Sequence, residues 1–128
     1  MPTTVHLLSD SEMGEEGRAV IKEIKETLGI ETVPNFFRAL AYQPDQMRSV
    51  WGRIKTLMDP KAPDHKMKHL LALAVCASVG SNYLCAHHAG ALRREGATEG
   101  EIAEVLAVVD LWAGISSYVN GLGLEFEG

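Results

Sequence analysis

The chain has 128 residues and a mass of 13.9 kDa, the length of a single domain able to bury a core without disulfides. Apolar residues make up 46% and charged residues 23%, a globular composition that excludes disorder over most of the length. The net charge of −5 excludes the basic stripe that would neutralise nucleic-acid or anionic-lipid phosphates.

Neither an export signal nor an unbroken run of about 18 apolar residues is read from the sequence, so the expectation is a soluble cytoplasmic protein with no nucleic-acid and no membrane partner. In such a compartment the two cysteines, Cys76 and Cys85, are expected as thiols.

The elements read as helical throughout. Ser9, Asp10 or Ser11 can cap a first helix whose Val20, Ile21, Ile24 and Leu28 share a face, with Gly29 just past its end. Residues 1–31 are read as an N-terminal helical extension of one domain spanning 1–128. Asn35 is a plausible cap for a short helix to about Ala41. Pro44 suits the first turn of a third helix with the stripe Met47, Val50, Trp51, Ile54, Leu57 and Met58, which Asp59-Pro60 ends.

Pro63 and Asp64 start a fourth helix, almost wholly apolar from Leu70 to Val79 and so expected to be buried on most sides. Gly80-Ser81-Asn82 reads as a sharp break before a fifth helix from about Tyr83 to Glu95, with Gly96 as its stop. Thr98-Glu99-Gly100-Glu101 fits a capping box and opens a sixth helix carrying Ile102, Val105, Leu106 and Val109 inward. Gly114 is expected to break the chain before a last short helix from about Ser116 to Leu122. The fold class is therefore all-α, a bundle of six to seven helices. Its very apolar central helices point to a homo-oligomer.

Four of the five histidines, His65, His69, His87 and His88, fall within the stretch DHKMKHLLALAVCASVGSNYLCAHHAGALRREG, residues 64–96. This stretch resembles the AhpD-like family, whose pattern is a glutamate, eleven residues, Cys-x-x-Cys, three residues and a histidine. VPNFFRALAYQPDQMRSVWGRIKTLMDP, GATEGEIAEVL and WAGISSYVNGL also resemble that superfamily, so the likeness runs from roughly Thr32 to Leu122. Tyr83, Ala86, His87 and His88 match the family phrase Cys-Pro-Tyr-Cys-x-Ala-His-His. On that register the resemblance places Ser81 at the first cysteine, Leu84 at the second, His69 at the glutamate and His88 at the motif histidine. Cys85 lies one residue past the resolving position.

The thiol peroxidase branch needs one thiolate to attack peroxide and a second to resolve the sulfenic acid, while glutamate and histidine move protons. Serine and leucine cannot do this. The carboxymuconolactone decarboxylase-like branch does not use the cysteine pair, and Gly80, His88 and Gly96 sit where its members keep glycine, histidine and glycine. A decarboxylase-like lyase is accordingly favoured over a peroxidase. The resemblance implies an AhpD-like bundle, a trimeric or hexameric assembly, a small-molecule ligand and no cofactor.

The candidate catalytic residues are His88, His69, Ser81, Cys85 and His87. His88 and His69 would act as acid and base on a small carboxylated or carbonyl compound. His87, on another side of the helix, fits packing or a supporting hydrogen bond as readily. Ser81 reads first as a helix cap. Cys85, near a helix N-terminus and three residues before His88, is either a reactive thiol or a small buried apolar residue. His65 precedes His69 by one turn, so His65, His69 and His88 are also candidate ligands for a divalent metal. A catalytically inactive binding protein is a further alternative. Asp110, if buried, needs a partner, and Trp51, Trp112, Met47, Met58 and Met67 read as core or subunit contacts.

Overall fold

The computed structural model describes residues 3–128 and contains six α-helices and one short 3-10 turn, with no strand among the described residues. The chain divides into two compact units, Met1–Lys61 and Ala62–Gly128.

In the first unit the 3-10 turn Asp10–Glu12 leads into α1, Glu15–Leu28, followed by α2, Asn35–Leu40, and α3, Pro44–Leu57. The caps expected at Ser9 to Ser11 thus belong to the 3-10 turn, and Gly14 is the N-cap of α1. Gly29 ends α1 with φ 66°, a left-handed angle that glycine adopts without the Cβ penalty. Pro44 occupies the first turn of α3, where its missing N–H costs nothing.

The apolar stripes converge as their helical periods require, and Ile24 and Met47 are fully buried with Ile21, Phe37 and Trp51 around them. Phe37 meets Trp51 edge to face at 5.9 Å between centroids, a preferred aromatic geometry. Polar clamps close the rim. The Trp51 indole N–H and Lys55 Nζ both donate to Glu23, and Asp10 accepts from Lys25 Nζ and Arg38 Nη1. Arg38 also donates to the Leu8 carbonyl, which fastens the N-terminal segment to its unit.

The second unit contains α4, His65–Ser78, α5, Asn82–Arg94, and α6, Glu99–Leu122. Helices α4 and α5 form a hairpin around Gly80, whose φ is 77°. Its core is small: Leu73, Leu92, Ala97 and Ile102, with Leu70, Cys85, Ala89 and Val105 packed against it. After α5, Gly96 adopts φ 88° and the Ala97 N–H returns to the Leu92 carbonyl at 2.9 Å. The Thr98 capping box then forms as expected, with reciprocal 3.1 Å bonds to Glu101.

Gly114 does not break the chain; α6 runs unbroken through it for 24 residues. Nor is α4 buried on most sides, because Leu71, Val75 and Val79 are each 60% exposed or more. Along α6, Ile102 is buried and Val105 and Val109 are half-buried, whereas Leu106 is exposed. Trp112 and Met67 are exposed, and so is Asp110, which therefore needs no buried partner.

By length and composition α6 is also apolar enough to cross a membrane, contrary to the expectation that no segment is. Asp110, Ser116, Ser117 and Asn120 interrupt its apolar run, which is why no unbroken span is read from the sequence.

Candidate functional site

The fourth and fifth helices bring three of the histidines into one line. His65 and His69 lie one turn apart on α4, and His88 faces them from α5. His69 Nδ1 is 2.9 Å from His88 Nδ1, and His69 Nε2 is 3.2 Å from His65 Nε2. At the far end His65 Nδ1 is 2.8 Å from Glu95 Oε1. The result is a continuous chain of four groups, His88, His69, His65 and Glu95.

His69 is the buried member, at 7% exposure, while the side chain of Glu95 is 37% exposed. Burial chiefly, and then the neighbouring His65, His88 and His87, push the His69 pKa down to about 4. Burial and His87 lower that of His88, and burial and Arg94 lower that of His87. These three rings are therefore neutral at pH 7, each with one donor and one acceptor nitrogen.

The candidate metal ligands are brought together, but as a chain and not as a ligand cluster. His69 turns its two opposite ring nitrogens to its two neighbours, so nitrogens of all three rings do not surround a single point. Among the described residues no group of three or more histidine, cysteine or acidic side chains is placed to hold one ion.

The remaining candidates take lesser places. His87 lies beside the chain, edge-on to His88 with centroids 5.1 Å apart. Ser81 is the N-cap residue of α5, though its side chain makes no capping hydrogen bond; its N–H donates to the Cys76 carbonyl. Cys85 is half-buried against the core of the second unit. Cys76 is buried, and burial first and Cys85 second push its thiol pKa up, which makes it a poor partner thiol.

Sequence reasoning did not single out Glu95. A usable signal was present, since Glu95 follows His88 by seven residues on the same helix face and His65 precedes His69 by four on an antiparallel neighbour, so both lie towards the same end of the helix pair.

Two clefts in the first unit, of about 410 and 490 Å³, are lined by Asp10, Arg18 and Lys25 and by Glu16, Arg48 and Trp51 among others, with no histidine or thiol. The histidine chain is the cluster with chemical capacity.

Comparison with known proteins agrees with this fold. The signature of the carboxymuconolactone decarboxylase family matches residues 44–124. The crystal structure of the alkylhydroperoxidase AhpD core from Rhodospirillum rubrum ATCC 11170 is similar with a TM-score of 0.91 and 32% sequence identity, over 98% of this chain and 94% of that one. No curated protein matches. With all of α3 to α6 under the family signature and nearly the whole chain superposing on an AhpD core, the chain belongs to the AhpD-like and carboxymuconolactone decarboxylase-like superfamily.

Proposed function

We propose that this protein carries out acid/base chemistry, without redox change, on a small carboxylated or carbonyl compound, with His88 as the group that takes and returns the proton. The observation that carries this is the 2.9 Å contact between the Nδ1 atoms of His69 and His88, two imidazoles that burial keeps neutral. A neutral imidazole at pH 7 is a competent base. Once protonated it is an acid strong enough to return the proton to carbon. His69 holds the ring of His88 in place from behind and acts as a positioning residue.

On a carboxylated lactone, His88 would take the proton of the carboxylic acid, the bond to the carboxyl carbon would break, carbon dioxide would leave, and the electron pair would remain conjugated with the ring carbonyl until the His88 imidazolium returned that proton to carbon. The family's name describes this class of reaction, and no paired thiols are needed for it. A peroxidase reading fits the residues less well. The sequence holds no Cys-x-x-Cys pair, and the only thiol available to resolve an oxidised Cys85 is the buried Cys76.

The test is carbon dioxide release from a carboxymuconolactone, followed with wild type, His88→Ala and His69→Ala. The expected result is a loss of about 100-fold or more in His88→Ala, the range for a positioned acid/base group, with a smaller loss in His69→Ala. Equal turnover and binding in all three proteins would end the proposal.

We infer further that the protein works as a homo-oligomer. The support is the exposed apolar surface of α4 and α6, which includes Leu71, Val75, Leu111 and Trp112.

A further inference from the structure

We propose that Glu95 sets the direction of the histidine chain, acting through His65 and His69 to hold His88 as the Nδ1–H tautomer with its basic lone pair on Nε2. The inference rests on the acid/base reading of His88, but it concerns the resting arrangement of protons and not turnover.

Glu95 is the fixed end of the chain. An ionised carboxylate only accepts, so at 2.8 Å from Glu95 Oε1 the Nδ1 of His65 must carry the hydrogen. In a neutral His65 the other nitrogen, Nε2, is then an acceptor. It lies 3.2 Å from His69 Nε2, which must therefore donate. That leaves Nδ1 of neutral His69 as an acceptor, 2.9 Å from His88 Nδ1, which must donate in turn. One acceptor-only group thus decides three tautomers. His88 is left with Nε2 as its free base, although a free neutral imidazole side chain prefers the opposite tautomer.

The same alignment allows a balanced shift of protons. When His88 Nε2 takes a proton from substrate, the Nδ1 hydrogen of His88 can pass to His69 Nδ1, and the Nε2 hydrogen of His69 to His65 Nε2. The charge then rests on His65 against Glu95, and His88 and His69 are neutral again. His65 is the first residue of α4, where the helix dipole opposes a cation. The charge-assisted hydrogen bond to Glu95, at 2.8 Å, offsets that opposition.

The chain has one alternative order. If His65 were an imidazolium in the resting protein, it would donate at both nitrogens, His69 would donate from Nδ1, and His88 would carry its hydrogen on Nε2.

The deciding experiment is ¹⁵N NMR of the histidine rings at pH 8 in the wild-type chain, where pyrrole-like and pyridine-like nitrogens are distinguished by shift. The expected pattern is hydrogen on Nδ1 of His65, Nε2 of His69 and Nδ1 of His88. A Glu95→Leu variant, checked for retained helix content by circular dichroism, should move His88 towards the Nε2–H form. Hydrogen on His88 Nε2 in the wild type overturns the proposal without any variant, and so does an unchanged Nδ1–H His88 in folded Glu95→Leu. A wild type with the expected tautomers that releases no carbon dioxide would instead refute the functional reading and leave the tautomer assignment standing.

Discussion

His69 shows how burial turns an ordinary titratable side chain into a constraint on both stability and chemistry. Only 7% of it is exposed, and its ring meets His65 edge-on at 4.6 Å and His88 at 5.2 Å between centroids. In the folded chain its pKa lies near 4, against 6.5 for the free side chain. As pH falls, the unfolded chain therefore binds the proton first. Stability is full above pH 6.5, declines as pH drops from 6.5 towards 4, and levels off below. One proton of difference gives a slope of at most about 1.4 kcal/mol per pH unit, with His88 and His87 adding in the same direction. Urea midpoints measured between pH 8 and 4 should therefore fall less steeply for His69→Gln than for the wild type. Parallel curves for the two proteins would show that His69 is not the group responsible. Burial places the acid limb of any His88-dependent rate below pH 6.5.

At the scale of elements, the second unit depends on how α5 hands over to α6. Gly96 turns the chain with φ 88°, Arg93 holds Glu99 through two hydrogen bonds, and Thr98 and Glu101 satisfy each other's backbone N–H groups. Lys66 on α4 reaches Glu101 as well. Thr98→Ala should cost about 1 kcal/mol, read as a shift in denaturant midpoint, and Thr98→Ser should recover most of it. No shift in Thr98→Ala would mean that solvent caps α6 as well as the threonine does.

Gly96 and the Thr98 capping box were legible in the sequence, as was Pro44 at the start of α3, because caps and first-turn prolines act within three or four residues; the Arg93–Glu99 and Lys66–Glu101 contacts were not. The continuity of α6 through Gly114 was not. A helical glycine costs only about 1 kcal/mol relative to alanine, and no side chain packs within 4 Å of where its Cβ would be, so nothing forces a break. The site divides in the same way. The approach of His69 to His88 was readable through family spacing, whereas the partnership of His65 with Glu95 joins residues 30 positions apart. A lone acid at a helix end ordinarily faces water, and its role emerges only when α4 and α5 are laid side by side.

At the scale of the whole molecule, the unsettled surface is the apolar one. Helix α6 has 24 residues and buries only Ile102 among them, while Leu111, Trp112 and Tyr118 are each more than half exposed. Leaving this much apolar area in water forfeits about 25 cal/mol per Å², which a second copy or a lipid phase could recover. A lipid phase suits the helix poorly. Asp110 lies near its middle, where a charge costs about 2.5–3.5 kcal/mol, and a chain of net charge −5 is repelled by anionic headgroups. A second copy has no such cost. Light scattering coupled to gel filtration should therefore give a mass that is a multiple of 13.9 kDa. Leu111→Glu combined with Trp112→Glu should return the monomer with helix content unchanged, since both side chains are exposed in the single chain. A monomeric wild type, or co-sedimentation of the wild type with phosphatidylcholine vesicles in place of self-association, would defeat this reading. An assembled double variant would move the interface off α6 and onto the other exposed apolar face, that of Leu71 and Val75 on α4 with Val79 at its C-cap.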